Sequence, residues 1–529
     1  MAQTVTELLI ERGNDDSLAI LHEDHRWTWR EYLDDARRTA AVVLGRADRD
    51  RPMHIGVLLD NSPAMLIALA AGALGGYVTV GINNTRRGAA LAGDIARGDC
   101  QILLTDAEHL PLLDGLDLPG VAVIDVSSPE WSRQLLDADE LTPYSVPTAT
   151  DPFMLIFTSG TSGNPKPVQL AHMLIPFAGP PLAERFGITS DDICYLSMPL
   201  FHSAALLGGY CVAAVSGAAM VPAKFSASRF LDDIRRYGAT YMNYVGKPLA
   251  YILATPERTD DADNPLRAAF GNEASDRDID DFSRRFDCQV WDGFGSTELA
   301  IIITREPGTP RGSVGKGFPG VAVYDPATGT ECPAAEFDDT GALTNADDAI
   351  GEIVNTSGAG MFTGYYNDPT TTSERLRDGM YWSGDLAYRD ADGWLYLAGR
   401  TGDWMRVDGE NMTAGPIERI LLRLPDISQV AVYGVPDEQV GDAVMAAVIL
   451  TDDSSLTPYE FAEFLAAQPD LSPKAWPRYV RIADDLPTTA TNKIVKRQLK
   501  KEGVDAGDGT LWVREPRSTD YRSSAPAGV

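Results

Sequence analysis

The chain has 529 residues and a net charge of −31, from 76 acidic and 45 basic side chains. This length exceeds what one hydrophobic core serves, so we expect at least two domains, and the acidic balance argues against a protein that binds nucleic acid or an anionic membrane. Five scattered cysteines without a Cys-x-x-Cys pair argue against a disulfide framework or a structural zinc site, and no secretory signal is visible at the N-terminus, so we expect a cytoplasmic protein.

Helical and strand-like patterns alternate over the first part of the chain, which is typical of an α/β architecture. Residues 29–44 predict an amphipathic helix, and residues 54–59 and 101–105 predict strands. Residues 63–82 carry no charge and have the length of a membrane span. Ser62 resembles an N-cap, Pro63 suits a first helical position and Gly75-Gly76 ends the pattern. We therefore expect a buried helix, a turn and a strand over residues 77–80.

A segment rich in glycine and hydroxyl groups follows the apolar strand pattern of residues 153–157. Its residues are Thr158, Ser159, Gly160, Thr161, Ser162, Gly163, Asn164, Pro165, Lys166 and Pro167. Glycine lets backbone N–H groups turn inward, the hydroxyls add donors, and lysine adds a mobile positive charge. The segment therefore predicts a loop that folds over a polyphosphate. It lacks the Gly-Lys-Ser/Thr triplet of a P-loop NTPase.

Further strands are predicted at residues 193–197, 241–245 and 289–291, and polar surface turns at residues 330–350. The pattern changes near Gly399-Arg400, after which short elements predict a compact terminal domain. Residues 430–435 and 443–450 predict paired strands, and Thr457 to Glu460 predict a capping box. Lys496, Arg497, Lys500 and Lys501 predict a solvated helical face, and residues 517–529 predict a loose tail.

Four more segments carry residues suited to chemistry. They are Phe294-Gly295-Ser296-Thr297-Glu298, Tyr381-Trp382-Ser383-Gly384-Asp385, Gly399-Arg400-Thr401-Gly402-Asp403, and the loop of residues 486–493 that ends in Lys493. Each is weak alone, because a buried structural Asp or a solvated Lys would explain it. All five segments in this order resemble the adenylate-forming superfamily of acyl-CoA synthetases, luciferases and peptide-synthetase adenylation domains. The C-terminal half most resembles the fatty-acid-transport and very-long-chain acyl-CoA synthetases.

The resemblance implies an α/β fold with a large N-terminal domain of stacked α/β subdomains (residues 1–399), a hinge (400–403) and a small mobile α+β C-terminal domain (404–529). It also implies how ATP is held. The residues expected at ATP are Thr158, Ser159, Gly160, Thr161, Ser162, Gly163, Lys166, Gly271, Asn272, Glu273, Asp292, Gly293, Asp385 and Arg400. The catalytic residues expected are Lys493, Thr297, Glu298 and His202, with Glu298 as the Mg²⁺ ligand.

The same resemblance implies a second half-reaction, in which the C-terminal domain rotates and a hairpin with Gly409 and Glu410 meets the thiol of CoA. The family's hinge aspartate falls here at Gly402 or Asp403, and Asn492 stands before Lys493 where most relatives have glycine. His202 resembles a gate over the acyl site. Gly295 stands where relatives restricted to acetate have tryptophan, so a larger acyl group is expected to fit.

The expected function is an ATP-dependent acyl-CoA ligase acting on a medium- or long-chain fatty or steroid-derived carboxylate through an acyl-adenylate. Its substrates would be the carboxylic acid, ATP and CoA, with Mg²⁺ as cofactor, no nucleic-acid partner and no transmembrane segment. Transfer of the acyl group to a separate carrier protein remains an alternative. A luciferase-like oxygenase and a catalytically silent binding module fit the residues less well. Peripheral membrane contact, the oligomeric state and the identity of the acid are left open by the sequence.

Overall fold

A computed structural model describes residues 2–158, 165–339, 341, 343–400, 404–407, 410–437, 441–451, 454–488, 494–505, 509–515 and 518–524. The chain forms two compact units: Met1–Ala300 with Ala359–Leu376, and Ile301–Gly358 with Arg377–Val529. Both units mix helices and strands, which confirms the predicted α/β class. The predicted domain boundaries at residues 399 and 403 stay a prediction, and residues 401–403 of the predicted hinge lie outside the described residues.

The helices and strands are given in chain order. The α-helices are α1 Val5–Glu11, α2 Trp29–Leu44, α3 Pro63–Gly75, α4 Gly88–Arg97, α5 Pro129–Leu136, α6 Leu174–Phe186, α7 Ser203–Ala205, α8 Val212–Ser216, α9 Phe230–Tyr237, α10 Pro248–Leu253, α11 Asp276–Phe286, α12 Ala346–Ala349, α13 Pro369–Arg375, α14 Ala414–Leu421, α15 Pro458–Ala466 and α16 Lys496–Glu502. A π-helix spans Leu206–Cys211, and 3₁₀ turns span Leu110–Leu113 and Pro473–Ala475.

The strands of the first unit are β1 Leu18–His22, β2 His25–Thr28, β3 His54–Leu58, β4 Val78–Gly81, β5 Ile102–Thr105, β6 Ala122–Asp125, β7 Pro152–Thr158, β8 Lys166–Ala171, β9 Ile193–Leu196, β10 Ala219–Pro222, β11 Tyr241–Val245, β12 Ala268–Asn272 and β13 Gln289–Gly295. The later strands are β14 Ile302–Thr304, β15 Lys316–Gly317, β16 Val321–Tyr324, β17 Gly351–Asn355, β18 Leu376–Arg377, β19 Met380–Arg389, β20 Leu395–Arg400, β21 Trp404–Val407, β22 Glu410–Thr413, β23 Ile427–Asp437, β24 Gly441–Leu450, β25 Tyr479–Ile482, β26 Thr510–Arg514 and β27 Tyr521–Ser524.

Two sheets organise the first unit. One has the order β6-β5-β3-β4-β7-β8, parallel except for β8, which runs antiparallel to β7. In the other, β13-β12-β11-β9-β10-β1 run parallel and β2 pairs antiparallel with β1. Sheets of parallel strands are buried on both faces and bind ligands beyond the carboxyl ends of their strands. We therefore expect a ligand site at the carboxyl edges of these two sheets.

Local sequence signals determine the structure of the uncharged segment, residues 63–82. The Ser62 hydroxyl accepts a hydrogen bond from the Met65 N–H, Pro63 occupies the first turn, and Gly76 ends α3 in the left-handed region at φ 67°. A Cβ on Gly76 would lie 2.1 Å from the Ser145 carbonyl oxygen, so no other residue fits this turn. The predicted helix, turn and strand are confirmed. Among the described residues, no helix is both long and apolar enough to cross a bilayer.

A charged cluster lies where strands of both sheets end. The His109 Nδ1 is 2.6 Å from Asp106 Oδ1, and its Nε2 is 3.8 Å from Asp60 Oδ1. Lys224, which follows β10, lies 3.1 Å from Asp60 Oδ2. Interaction with His109, and then with Lys224, holds the pKa of Asp60 at about 2 against burial. Asp60 and Asp106 together raise the pKa of His109.

These shifts predict how the stability gained from His109 depends on pH. A raised folded-state pKa stabilises fully below the unfolded value of about 6.5, and this contribution disappears as pH rises through the folded value. The depressed pKa of Asp60 stabilises above about pH 4 and its contribution fades toward pH 2. We therefore expect His109→Gln to lower the Tm more at pH 5 than at pH 9, measured by thermal unfolding. The same substitution at exposed His25 should change the Tm less at both pH values, and an equal loss for His109→Gln at both would contradict the assignment.

The second unit contains two further sheets, of which the second is mixed because β25 runs parallel to β24. One has the order β16-β17-β19-β18, with β20 paired to β19, and the other has the order β22-β21-β24-β25-β26-β27, with β23 paired to β24. The predicted strand pair of residues 430–435 and 443–450 is confirmed within β23 and β24. The predicted capping box is confirmed too, since Thr457 Oγ1 accepts from the Glu460 N–H and the Glu460 carboxylate accepts from the Thr457 N–H.

Two predictions for the C-terminal region were wrong in part. Part of the predicted loose tail forms β27, which pairs with β26, because Tyr521 is buried and its hydroxyl donates to the Pro477 carbonyl oxygen. Lys496 does not belong to a solvated face, because its Nζ lies 2.8 Å from Glu418 Oε1 on α14. Because these contacts join segments that are far apart in the sequence, no local sequence pattern indicates them.

Candidate active site

The predicted phosphate loop is flanked by two paired strands. β7 ends at Thr158 and β8 begins at Lys166, and these two residues are opposite each other in the antiparallel register. Ser159, Gly160, Thr161, Ser162 and Gly163 lie outside the described residues, so their predicted role stays a prediction. Thr158 and Lys166 therefore mark the entry to and exit from the predicted loop at the carboxyl end of β7.

Glu298 lies just beyond the carboxyl end of β13, in a turn with Thr297. The hydroxyl of Tyr365 donates to Glu298 Oε1 at 2.6 Å. Burial, followed by the nearby charge of Glu298, raises the pKa of Tyr365, so the hydroxyl keeps its proton at any working pH. Leu299, next in the chain, has φ 57°, a conformation that costs energy for a branched side chain and is concentrated at functional sites.

Tyr365 also approaches the lysine of the predicted phosphate loop. The Lys166 Nζ lies 5.6 Å from the centroid of the Tyr365 ring, within the range of a cation–π contact. Backbone hydrogen bonds from Gln169 to Gly364 and from Tyr366 to Pro167 hold this segment against β8. One tyrosine thus connects Lys166 on one sheet with Glu298 at the end of the other. No role for Tyr365 was predicted from the sequence, because nothing local in Gly364-Tyr365-Tyr366 indicates its contacts.

We expect Tyr365→Phe to lower the kcat/KM of adenylation about tenfold. The substitution removes the donor to Glu298 but keeps the ring beneath Lys166, and a hydrogen bond to a charged group contributes about 1.5–3 kcal/mol. The measurement is carboxylate-dependent pyrophosphate release at several Mg²⁺ concentrations. Tyr366→Phe is the matched control, since that hydroxyl donates to Asp99 instead, 2.9 Å away. Equal losses in both variants would show that the Tyr365 hydroxyl does nothing specific for Glu298.

The predicted adenine-side residues gather at the neighbouring strand ends. Gly271 and Asn272 are opposite Asp292 and Gly293 in the register of β12 with β13. Asp292 is buried, and its Oδ2 accepts from the Tyr244 hydroxyl at 2.8 Å and from the Ala274 N–H at 3.1 Å. Its carboxylate therefore fixes the start of the loop. Glu273 is exposed with φ 68°, so this loop is strained where the sequence predicts nucleotide contact.

The two predicted acyl-site residues lie on different elements of the same unit. His202 follows β9, is half-buried beside the Phe201 ring at 4.7 Å between centroids, and precedes α7. Gly295 is the last residue of β13 and is exposed. Their roles as a gate and as an opening for a large acyl group remain predictions.

In the second unit, the predicted ribose ligand pairs with another residue that the resemblance places at ATP. Asp385 on β19 is opposite Arg400 on β20, and the Arg400 Nε donates to Asp385 Oδ1 at 2.9 Å. The Asp385 carboxylate is 10% exposed, whereas the Arg400 side chain is 55% exposed. Arg400 thus neutralises and orients a nearly buried carboxylate while its guanidinium stays accessible to an anionic ligand.

The remaining predicted residues fall in or beside undescribed segments. Lys493, Gly402, Asp403 and Gly409 lie outside the described residues, and the side chain of Glu410, at the start of β22, is not described. β21 and β22 pair with Val407 opposite Glu410, and the predicted CoA-side role of Gly409 and Glu410 stays a prediction. Thr488 and Ile494, the described residues on either side of the segment that contains Lys493, pair with each other.

A divalent cation fits the donor set at Glu298. Among the described residues, no group of three or more His, Cys, Asp or Glu side chains could hold a metal ion. Mg²⁺ does not need such a cage, because it keeps several waters and binds through one or two carboxylates together with substrate phosphates. A single carboxylate beside a protonated tyrosine and a lysine suits that role.

Comparison with known proteins gave consistent matches. The profile described as AMP-binding enzyme matches residues 10–366, and that described as AMP-binding enzyme C-terminal domain matches residues 416–493. The medium/long-chain-fatty-acid–CoA ligase FadD17 of Mycobacterium tuberculosis is 51% identical, covering 97% of this chain and 99% of its own. Steroid-22-oyl-CoA synthetase of Rhodococcus jostii is 42% identical, covering 96% and 93%. ATP-bound MatB of Rhodopseudomonas palustris has the same fold, with a TM-score of 0.83 at 23% identity over 95% of this chain and 99% of its own.

Proposed function

Because the chain belongs to the AMP-binding enzyme family, we propose that it is an ATP-dependent acyl-CoA ligase for a medium- or long-chain fatty or steroid-derived carboxylate. Two relatives that match nearly the whole chain carry those two activities in their names, which supports both substrate classes. The observation that carries the proposal is the contact of Tyr365 with both Lys166 and Glu298, the predicted phosphate ligand and the predicted metal ligand.

The proposed first half-reaction forms an acyl-adenylate. A carboxylate oxygen of the acid attacks the α-phosphorus of ATP, the bond to the bridging oxygen breaks, and pyrophosphate leaves. Lys166 and the segment after Thr158 would hold the departing phosphates, and Thr297 would contact the α-phosphate. Bound Mg²⁺, with Glu298 as its protein ligand, would supply charge neutralisation at the phosphates.

Asp385 would accept hydrogen bonds from the ribose hydroxyls, because a carboxylate offers two acceptor oxygens. Arg400 fixes its orientation and has an exposed guanidinium that would reach the nucleotide. Lys493 would bridge the attacking carboxylate oxygen and the α-phosphate, where negative charge accumulates in the transition state. In the second half-reaction the CoA thiolate attacks the acyl carbon and AMP leaves, with Gly409 and Glu410 beside the pantetheine arm.

We also propose that the protein works in the cytoplasm. All five cysteines are free and buried, as suits a reducing compartment.

The test is pyrophosphate release from ATP across fatty, aromatic and steroid carboxylates, followed by thioester analysis with free CoA or with a phosphopantetheine-bearing carrier protein. We expect release that depends on a fatty or steroid acid and a thioester with free CoA. If a thioester formed only with the carrier protein, the result would favour an acyl-AMP ligase. If no carboxylate supported pyrophosphate release, the proposed enzymatic activity would be refuted.

A further inference from the structure

One buried amide in the first unit has no hydrogen-bond partner. Asn243, in the middle of β11, is 2% exposed, and neither its Oδ1 nor its Nδ2 bonds to any residue that the structure describes. Buried polar side chains almost always find a partner, so such an exception needs an explanation. Asn61 shows the usual case: its Nδ2 donates to the carbonyl oxygens of Leu196 and Met198, and its Oδ1 accepts from the Leu200 N–H.

Two glycines of the neighbouring helical segment lie opposite Asn243. Gly208 and Gly209 lie there, within the π-helix that begins four residues after His202. A Cβ on Gly209 would lie 2.9 Å from Asn243 Oδ1, and a Cβ on Gly208 would lie 3.2 Å from Phe270 Cδ1. The Gly208 carbonyl oxygen accepts from the Tyr241 hydroxyl at 2.6 Å. Bare backbone in a π-helical turn, an arrangement frequent at functional sites, therefore faces an unsatisfied amide.

The position of Asn243 relates it to the proposed active site. Asn243 is opposite Phe270 in the register of β11 with β12, and Val245 is opposite Asn272, one of the predicted ATP residues. Side chains two residues apart share a face of a strand and lie about 7 Å apart along it. The amide thus lies below the carboxyl edge of the sheet, on the face that packs against the helical segment after His202. An acyl chain that runs from that edge between the sheet and the helical segment would pass it.

We propose that Asn243 is a specificity-determining residue that recognises a hydroxyl or keto oxygen on the hydrocarbon part of the acyl group. Its Nδ2 would donate to either oxygen and its Oδ1 would accept from a hydroxyl, which satisfies the amide only when such an acid is bound. The preferred substrates are then oxygenated acids rather than their unsubstituted parents. This inference rests on the proposed adenylation of a carboxylate and narrows the class of acid.

The experiment compares a straight-chain acid with hydroxy and keto acids of equal length, the oxygen being moved stepwise along the chain. We expect wild-type kcat/KM for pyrophosphate release to rise about tenfold or more at one oxygen position, by analogy with sites built to bond a substrate hydroxyl. In Asn243→Leu, the kcat/KM for the best oxygenated acid should be within about twofold of the kcat/KM for the parent acid. We expect this loss of preference to come from a higher KM for the oxygenated acid, while activity on the parent acid is kept. Asn243→Ser serves as a second variant if the leucine variant folds poorly.

Thermal unfolding separates recognition from a structural role. Asn243→Leu breaks no hydrogen bond of the described protein, so its Tm should equal or exceed the wild-type value, whereas Asn61→Leu should lower the Tm by several degrees. A wild-type enzyme without preference for any oxygenated acid, an unchanged preference in both Asn243 variants, or a loss of Tm like that of Asn61→Leu would overturn the inference. Equal pyrophosphate release from parent and oxygenated acids would overturn the inference about Asn243 but leave the proposed function intact. If no acid supported pyrophosphate release, the proposed function itself would be refuted.

Discussion

Lys493→Ala should reduce carboxylate-dependent pyrophosphate release by about a hundredfold or more while leaving thioester formation from supplied acyl-adenylate within a few-fold of wild type. Removing one preorganised donor aimed at developing transition-state charge costs about 2.7–4 kcal/mol, or 10²–10³ in rate. The second half-reaction starts after that charge has left with pyrophosphate, so it does not need the ammonium group. The two rates are measured separately, the second with synthetic acyl-adenylate and CoA.

The fold around this segment is expected to survive the Lys493→Ala substitution. Leu486 and Leu499 are buried against the β23–β24 pair, and the Lys496–Glu418 ion pair fixes the start of α16. Lys501→Ala, at an exposed position near the end of α16, removes the same charge and is the matched control. Equal loss of both half-reactions in Lys493→Ala, or the same loss in Lys501→Ala, would contradict the assigned role.

Sequence predicts this fold best where local chemistry determines it. The helix α3 has its start in Ser62 and Pro63 and its end in Gly76, all within one short segment. By contrast, β27 depends on the burial of Tyr521 and on its bond to Pro477, 44 residues away. The signal for that strand is tertiary, and the polar, charged residues around Tyr521 conceal it.

The candidate site follows the same division. Glu298 and Asp385 lie in sequence motifs, and the neighbouring motif residues identify them as candidates. The role of Tyr365 can be recognised only from the fold, which brings its hydroxyl to Glu298, 67 residues away in the sequence. Asn243 did leave a trace, as the one amide in the otherwise apolar and aromatic run Tyr241–Val245. That trace becomes informative only once the structure shows the amide buried and without a partner among the described residues.

Glu298→Gln should lower adenylation kcat/KM by about a hundredfold and raise the Mg²⁺ concentration needed for half-maximal activity. The amide keeps the shape of the side chain and an oxygen that accepts from Tyr365, so the change isolates the loss of charge. A carboxylate is the ligand that Mg²⁺ prefers, and metal stabilisation of phosphoryl charge supplies several kcal/mol, of which about 2.7 corresponds to a hundredfold. The measurement is pyrophosphate release over a Mg²⁺ titration at saturating ATP and acid.

Two controls complete the Glu298→Gln prediction. Glu184→Gln makes the same chemical change at an exposed position on α6 and should leave the titration at its wild-type midpoint. The Tm of Glu298→Gln should stay close to wild type, because the hydrogen bond with Tyr365 persists and Glu298 is only half-buried. Lost activity with an unchanged Mg²⁺ midpoint would assign the carboxylate to substrate rather than metal. Tyr365→Phe should shift the midpoint in the same direction but less, since that variant leaves the charge in place and removes only the group that orients it.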